Sequence, residues 1–174
     1  MPRASIQNAR PALRRLPTRS SRLVQSIVRR LLPLLFRSQG LERKNGPAAE
    51  TLARVFKAQQ DGDCNVLIAF RHPSTRDPVV LADLFWNEAR RSARHRNQPL
   101  SRPVEVRFLY DRGIPIWAGP QIGWLLQRCG GIAIHRGRLD RPALAQARQT
   151  LSQGRFPLVV APEGATNNLS GEMA

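Results

Sequence analysis

His72 and Asp77 stand with four residues between them in the stretch VLIAFRHPSTRDPVV, directly after an apolar run. An imidazole titrates near neutrality, so it can take a proton from an alcohol. A carboxylate held against its other ring nitrogen fixes the tautomer and stabilises the imidazolium that forms. The intervening turn of chain lets Asp77 fold back onto His72. Asp77 is also followed by Pro78, and that pair reads equally as a helix start, the carboxylate accepting from unpaired backbone N–H groups. Both readings stay open on these residues alone. Gly-x-Ser-x-Gly is absent and neither cysteine follows an apolar strand, so direct attack by a bound alcohol fits better than a covalent enzyme intermediate.

Four short apolar runs, NVLIAF, VEVRFLY, GIAIHR and FPLVVAP, read as strands, and longer amphipathic segments lie between them. In those segments Val80, Leu81, Leu84 and Phe85, then Ile122, Leu125, Leu126 and Cys129, then Leu144, Ala147 and Leu151 recur at helical spacing. A further helix spans Ala48 to Gln60, and the DGDC stretch breaks it. Asp140 before Arg141-Pro142 starts the last helix and Gly154 ends it. The alternation predicts an α/β domain with a mainly parallel or mixed sheet flanked by helices.

In such a sheet the residues just beyond each strand share one edge, where open α/β sheets bind ligands. Arg71 and His72 follow the first strand, Arg136 and Arg138 the third, and Glu163-Gly164 the fourth. Arginine there suits a phosphate, because its planar fork makes two charge-assisted hydrogen bonds to one anion. Standing alone, Arg136 also reads as a solvated strand-end cation and Glu163 as a turn carboxylate.

Three blocks in this order resemble the glycerolipid acyltransferases typified by lysophosphatidate (1-acylglycerol-3-phosphate) acyltransferases. They are His72-Pro73-Ser74-Thr75-Arg76-Asp77, Gly130-Gly131-Ile132-Ala133-Ile134-His135-Arg136, and Pro162-Glu163-Gly164-Ala165-Thr166, and the likeness covers about Asn65 to Asn168. The resemblance implies His72 as general base and Asp77 as its orienting partner. It further implies that Arg136, Glu163, Gly164, Ser74 and Arg138 bind substrate. It implies no cofactor and no metal; acyl-CoA or acyl carrier protein is the co-substrate, and a lysophospholipid is the acceptor, in phospholipid biosynthesis. Glycerol 3-phosphate or a lyso-aminolipid would keep the chemistry and change the acceptor.

The chain departs from the family at Arg71, where asparagine is usual, at Ala133, where a bulky apolar residue is usual, and at Thr166, where an arginine helps hold the acceptor phosphate. The family also carries a fourth, apolar, proline-containing block after the third. The chain ends at Ala174, so the domain is expected to be incomplete at its C-terminus and poorly stable or weakly active as it stands.

Composition bounds the rest. The chain has 174 residues, 41% of them hydrophobic, enough for a single core, and it carries a net charge of +16. Its first 44 residues hold eleven cations against Glu42 alone. That basic arm, with an amphipathic segment from Ser21 to Phe36 whose stripe is Leu23, Ile27, Leu31 and Leu34, suits a helix lying on an anionic membrane surface. We therefore place a membrane-surface segment over 1–46 and an acyltransferase domain over 47–174, peripheral to the membrane on its cytoplasmic face. An arginine- and serine-rich, acid-poor leader also fits an organelle transit peptide.

The apolar run Leu31 to Phe36, with Pro33 inside it, is far short of the roughly 20 residues that cross a bilayer. Nucleic acid is not an expected partner, since the arginines are not interleaved with base-stacking aromatics. Cys64 and Cys129 form no metal-binding spacing with each other or with the histidines and read as buried or half-buried free thiols.

Overall fold

Side chains along a strand alternate between the two faces of a sheet, and that alternation decides which residues of this chain meet which helices. The computed structural model describes residues 17–42, 46–71, 74–137 and 139–162. Along them run α1 (Arg22–Ser38), α2 (Pro47–Asp61), β1 (Leu67–Ala69) and α3 (Asp77–Asp83), which continues through a π-helical turn (Leu84–Glu88) into α4 (Ala89–His95). Then follow β2 (Arg107–Asp111), α5 (Ile114–Ala118), α6 (Pro120–Arg128), β3 (Gly131–Ile134), α7 (Arg141–Gln153) and β4 (Leu158–Val160).

The four strands form one sheet in the order β1-β4-β2-β3, and every pair is parallel. Ile68, Phe70, Phe108 and Val159 point to one face and join a core with Leu32, Phe56, Phe85, Trp86 and Ala89. Leu109, Ile132, Ile134, Leu158 and Val160 point to the other, against Ala143, Ala147 and Leu151 of α7. From β2 to β3 the chain moves outward, and from β3 to β4 it moves back. Right-handed crossovers therefore put α6 and α7 on opposite faces.

Chain chemistry sets the helix ends. Asp140 accepts from the Ala143 amide at 3.1 Å and so caps α7. Gly154 closes the same helix in the left-handed conformation at φ 64°, and Gly62 does so for α2 at φ 93°. The α6–β3 junction needs glycine outright: Gly130 has φ 107°, and a Cβ on it would lie 2.3 Å from the Val106 carbonyl oxygen.

α1 is apolar on two sides. Leu32 is 1% exposed and, with Val24 and Val28, packs into the core beside α3. The stripe of Leu23, Ile27, Leu31 and Leu34 faces outward, Leu23 being 70% and Leu34 60% exposed. Just before the helix, Ser21 donates its amide to the Arg128 carbonyl at 2.8 Å, and the Thr18 hydroxyl donates to the Gly131 carbonyl at 3.2 Å. Those bonds tie the entry to α1 to the amino end of β3.

Two expectations need correction. An apolar run such as NVLIAF suggests a buried strand, yet Leu67 is 53% exposed, because β1 is an edge of the sheet and α7 lies over β3 and β4. Cys64 is exposed rather than buried, while Cys129 is buried and its thiol is pushed up to about 11 by that burial. Among the described residues no helix is long and apolar enough to cross a membrane.

The two sides of α1 separate in mutation. Leu32→Ala should cost about 2–5 kcal/mol, as burial of a core leucine dictates, whereas Leu34→Ala should stay within about 0.5 kcal/mol. Urea denaturation of both variants checks this; equal losses would contradict the packing of α1 on the core.

Candidate functional site

With every strand parallel, Ala69, Val160, Asp111 and Ile134 end at one rim, and the register pairs Ala69 with Val160 and Asp111 with Ile134. The ladder runs one step further, since the Phe70 amide donates to the Val160 carbonyl at 3.1 Å. The chain therefore leaves all four strands at the same edge of the sheet.

Beyond β1 the chain passes through a turn at Ser74 to Arg76 and enters α3 at Asp77. Arg76, the residue before the helix, makes no side-chain cap bond. The Asp77 carboxylate instead turns back along the loop and accepts from the Ser74 amide at 2.9 Å. Accepting from a backbone amide at the helix start is the capping role open to Asp77 on sequence, here toward Ser74 three residues back. Ser74 also holds the loop from its side chain, its Oγ accepting from the Arg76 amide at 3.1 Å. The block thus folds into a tight loop whose aspartate faces the residues that precede it. His72 itself lies outside the described residues, as do Arg138, Glu163 and Gly164.

β4, which leads toward Glu163, sits directly beside β1, and β3, which leads to Arg136, lies beyond β2. Three strand spacings separate β1 from β3, roughly 14 Å. Asp77 and Arg136 thus share the rim but not one contact, and a ligand touching both must be extended along it.

The glycines that lead β3 have a packing reason. A Cβ on Gly131 would lie 2.7 Å from the Tyr110 ring and 2.9 Å from the Leu126 carbonyl oxygen, so a larger residue would push β3 out of register with β2.

The loop after β3 is fixed from inside. Asp140, 1% exposed, accepts from the His135 amide at 3.0 Å and from the Ala143 amide, and it pairs with Arg112 at 3.4 Å. Arg112 also donates to the Ala133 carbonyl at 3.5 Å. One buried carboxylate therefore joins β2's end, β3's end and the start of α7, and it sets where Arg136 emerges. Arg136 in turn donates to Asp111 at 3.3 Å, and Asp111 accepts from the Gly113 amide at 2.8 Å.

Asp111 and Arg112 were missed by sequence reasoning. Their signal was the same as that of the other blocks, charged residues directly after a strand, in YDRG. Two depressions of the described surface lie away from this rim. One, lined by Gln60, Arg102 and Arg155, is at the amino end of the sheet; the other, lined by Glu50, Glu88 and Arg96, is between α2 and α4.

Fold and rim together define an α/β domain of the open parallel type whose polar loops converge at the carboxyl edge. Residues 47–174 match the family model described as Acyltransferase, and the chain belongs to this glycerolipid acyltransferase family. Its chemistry is the transfer of acyl groups. Comparison with curated proteins and with solved structures gave no match.

Asp140→Ala should cost about 3–5 kcal/mol, because it strips a buried charge from an ion pair and two amides from their acceptor. Urea denaturation measures it; a loss under about 1 kcal/mol would mean that the loop after β3 is held by something else.

Proposed function

We propose that this chain moves a fatty acyl group from acyl-CoA or acyl carrier protein to the free hydroxyl of a lysoglycerophospholipid at a membrane surface. Lysophosphatidate is the acceptor that the resemblance implies. The observation that carries the reading is the Asp77 carboxylate, turned back onto the Ser74 amide, two residues after His72 in the chain, at the carboxyl rim of the sheet.

In the reaction His72 takes the proton of the acceptor hydroxyl as its oxygen attacks the thioester carbonyl. Asp77 holds the imidazolium and keeps its own charge throughout. Collapse of the tetrahedral intermediate breaks the C–S bond, and the imidazolium returns the proton to the departing thiolate. The products are the ester and the free thiol.

Arg136 takes the acceptor's phosphate, with Arg138 beside it in the same loop, and Glu163-Gly164, following the strand next to β1, shape the acceptor site. Ser74 acts by holding the loop of the first block. The pairing of Arg136 with Asp111 favours a second acceptor, a lyso-aminolipid, over the phosphate monoester.

The outward stripe of α1 supplies the membrane contact. Leu23, Ile27, Leu31 and Leu34 are exposed, and at 100° per residue Arg30 and Arg37 border them on the side away from the core. That arrangement suits an apolar face resting in the headgroup region of an anionic leaflet, such as the cytoplasmic one. The segment over 1–46 then delivers the domain over 47–174 to its acceptor.

Two experiments test these readings. His72→Ala should lower acyl transfer from labelled acyl-CoA by at least about a hundredfold with much less change in acceptor binding; a variant keeping most of its rate rules out the role. In flotation with anionic vesicles, Leu31→Glu combined with Leu34→Glu should abolish binding, and undiminished flotation would remove α1 from the membrane contact.

A further inference from the structure

The ends of β2 and β3 hold a charge pair whose carboxylate, Asp111, has no role in the acyl-transfer steps. Asp111 and Ile134 are partners in the parallel ladder, and Arg136 follows two residues later. One oxygen of the Asp111 carboxylate accepts from the Gly113 amide at 2.8 Å; the other meets the Arg136 guanidinium at 3.3 Å. The side chains are 28% and 47% exposed, so a ligand can reach the pair. The neighbouring cation, Arg112, is engaged by the buried Asp140 at 3.4 Å. Each of these two arginines is thus paired with a carboxylate.

A phosphate monoester approaching Arg136 would bring a charge close to −2 at neutral pH next to a fixed carboxylate, and like charges at such a distance repel strongly in a half-buried setting. A head group that carries both signs meets no such penalty. Its phosphodiester takes the guanidinium, its ammonium takes the carboxylate, and the internal pair is exchanged for two intermolecular ones. The Gly113 amide keeps the carboxylate oriented while this happens.

We propose that Asp111 selects the acceptor head group, and that the acceptor is a lysophospholipid whose head is zwitterionic, an ammonium a few bonds from a phosphodiester. This deepens the acyl-transfer reading above and rests on it for the acyl step, while the head-group preference is a binding property that can be measured without turnover.

The test compares two soluble probes, glycerophosphoethanolamine and glycerol 3-phosphate, binding to the wild-type chain, Asp111→Asn, Asp111→Glu and Arg136→Gln, with circular dichroism confirming each fold. The wild type should bind the zwitterion more tightly. Asp111→Asn should shift the ratio toward glycerol 3-phosphate by about 10-fold or more, the scale of one charge-assisted contact. Asp111→Glu should restore the preference, and Arg136→Gln should weaken both probes. Tighter binding of glycerol 3-phosphate by the wild type, or a ratio unchanged within twofold in Asp111→Asn, overturns the proposal. If the preference holds while neither the matching lysolipid nor lysophosphatidate is acylated, the acyl-acceptor reading fails and the head-group site stands.

Discussion

Parallel pairing of all four strands is the constraint on which everything else here depends. An antiparallel neighbour would send one of the three blocks to the opposite end of the sheet, and no side-chain adjustment could bring it back. Because β4 inserts between β1 and β2, the strand that leads toward the third block ends beside the strand that leads toward Asp77. The insertion needs a chain that travels outward to β3 and returns across two strands, with α6 and α7 on opposite faces. The apolar faces of those helices therefore contribute to chemistry by fixing strand order.

Electrostatics then acts within that frame. Asp140 is almost fully buried and would be costly alone, but two amides and Arg112 offset the loss of water around it. The result is a rigid platform under Arg136, whose exposed guanidinium is the part free to exchange partners. Much of the surplus positive charge lies elsewhere, in the first 44 residues, which carry +10 of the +16. Overall basicity therefore describes the N-terminal segment more than the rim, where Arg112 and Arg136 are each paired with a carboxylate.

Strand runs and helix periodicity were legible because each element keeps one apolar face against a core, and the cap at Asp140 with the stop at Gly154 could be read from local chemistry alone. Harder features depend on neighbours. The inner face of α1 escaped notice because Leu32 and Phe36 lie on an arc adjacent to the exposed leucines, and only packing tells the two arcs apart. Exposure of Leu67 follows from strand order, which no single run encodes. The π-helical turn over Leu84–Glu88 and the short α5 have no periodic signature strong enough to read.

At the site, the common rim of the strand ends was readable once the sheet was taken as parallel. So was the bond of the Asp77 carboxylate to a backbone amide at the start of α3, which the Asp-Pro pair offers. Asp111 was visible in type and position, but its pairing with Arg136 depends on the β2–β3 register.

The account is tested most directly by the single-turnover rate of Asp77→Asn with labelled acyl-CoA and a lysolipid acceptor, the fold being verified first. The asparagine keeps the shape and removes the charge that holds the imidazolium in the proposed mechanism. The account predicts a fall of at least about a hundredfold with donor binding unchanged, and a rate within a few-fold of wild type would contradict it.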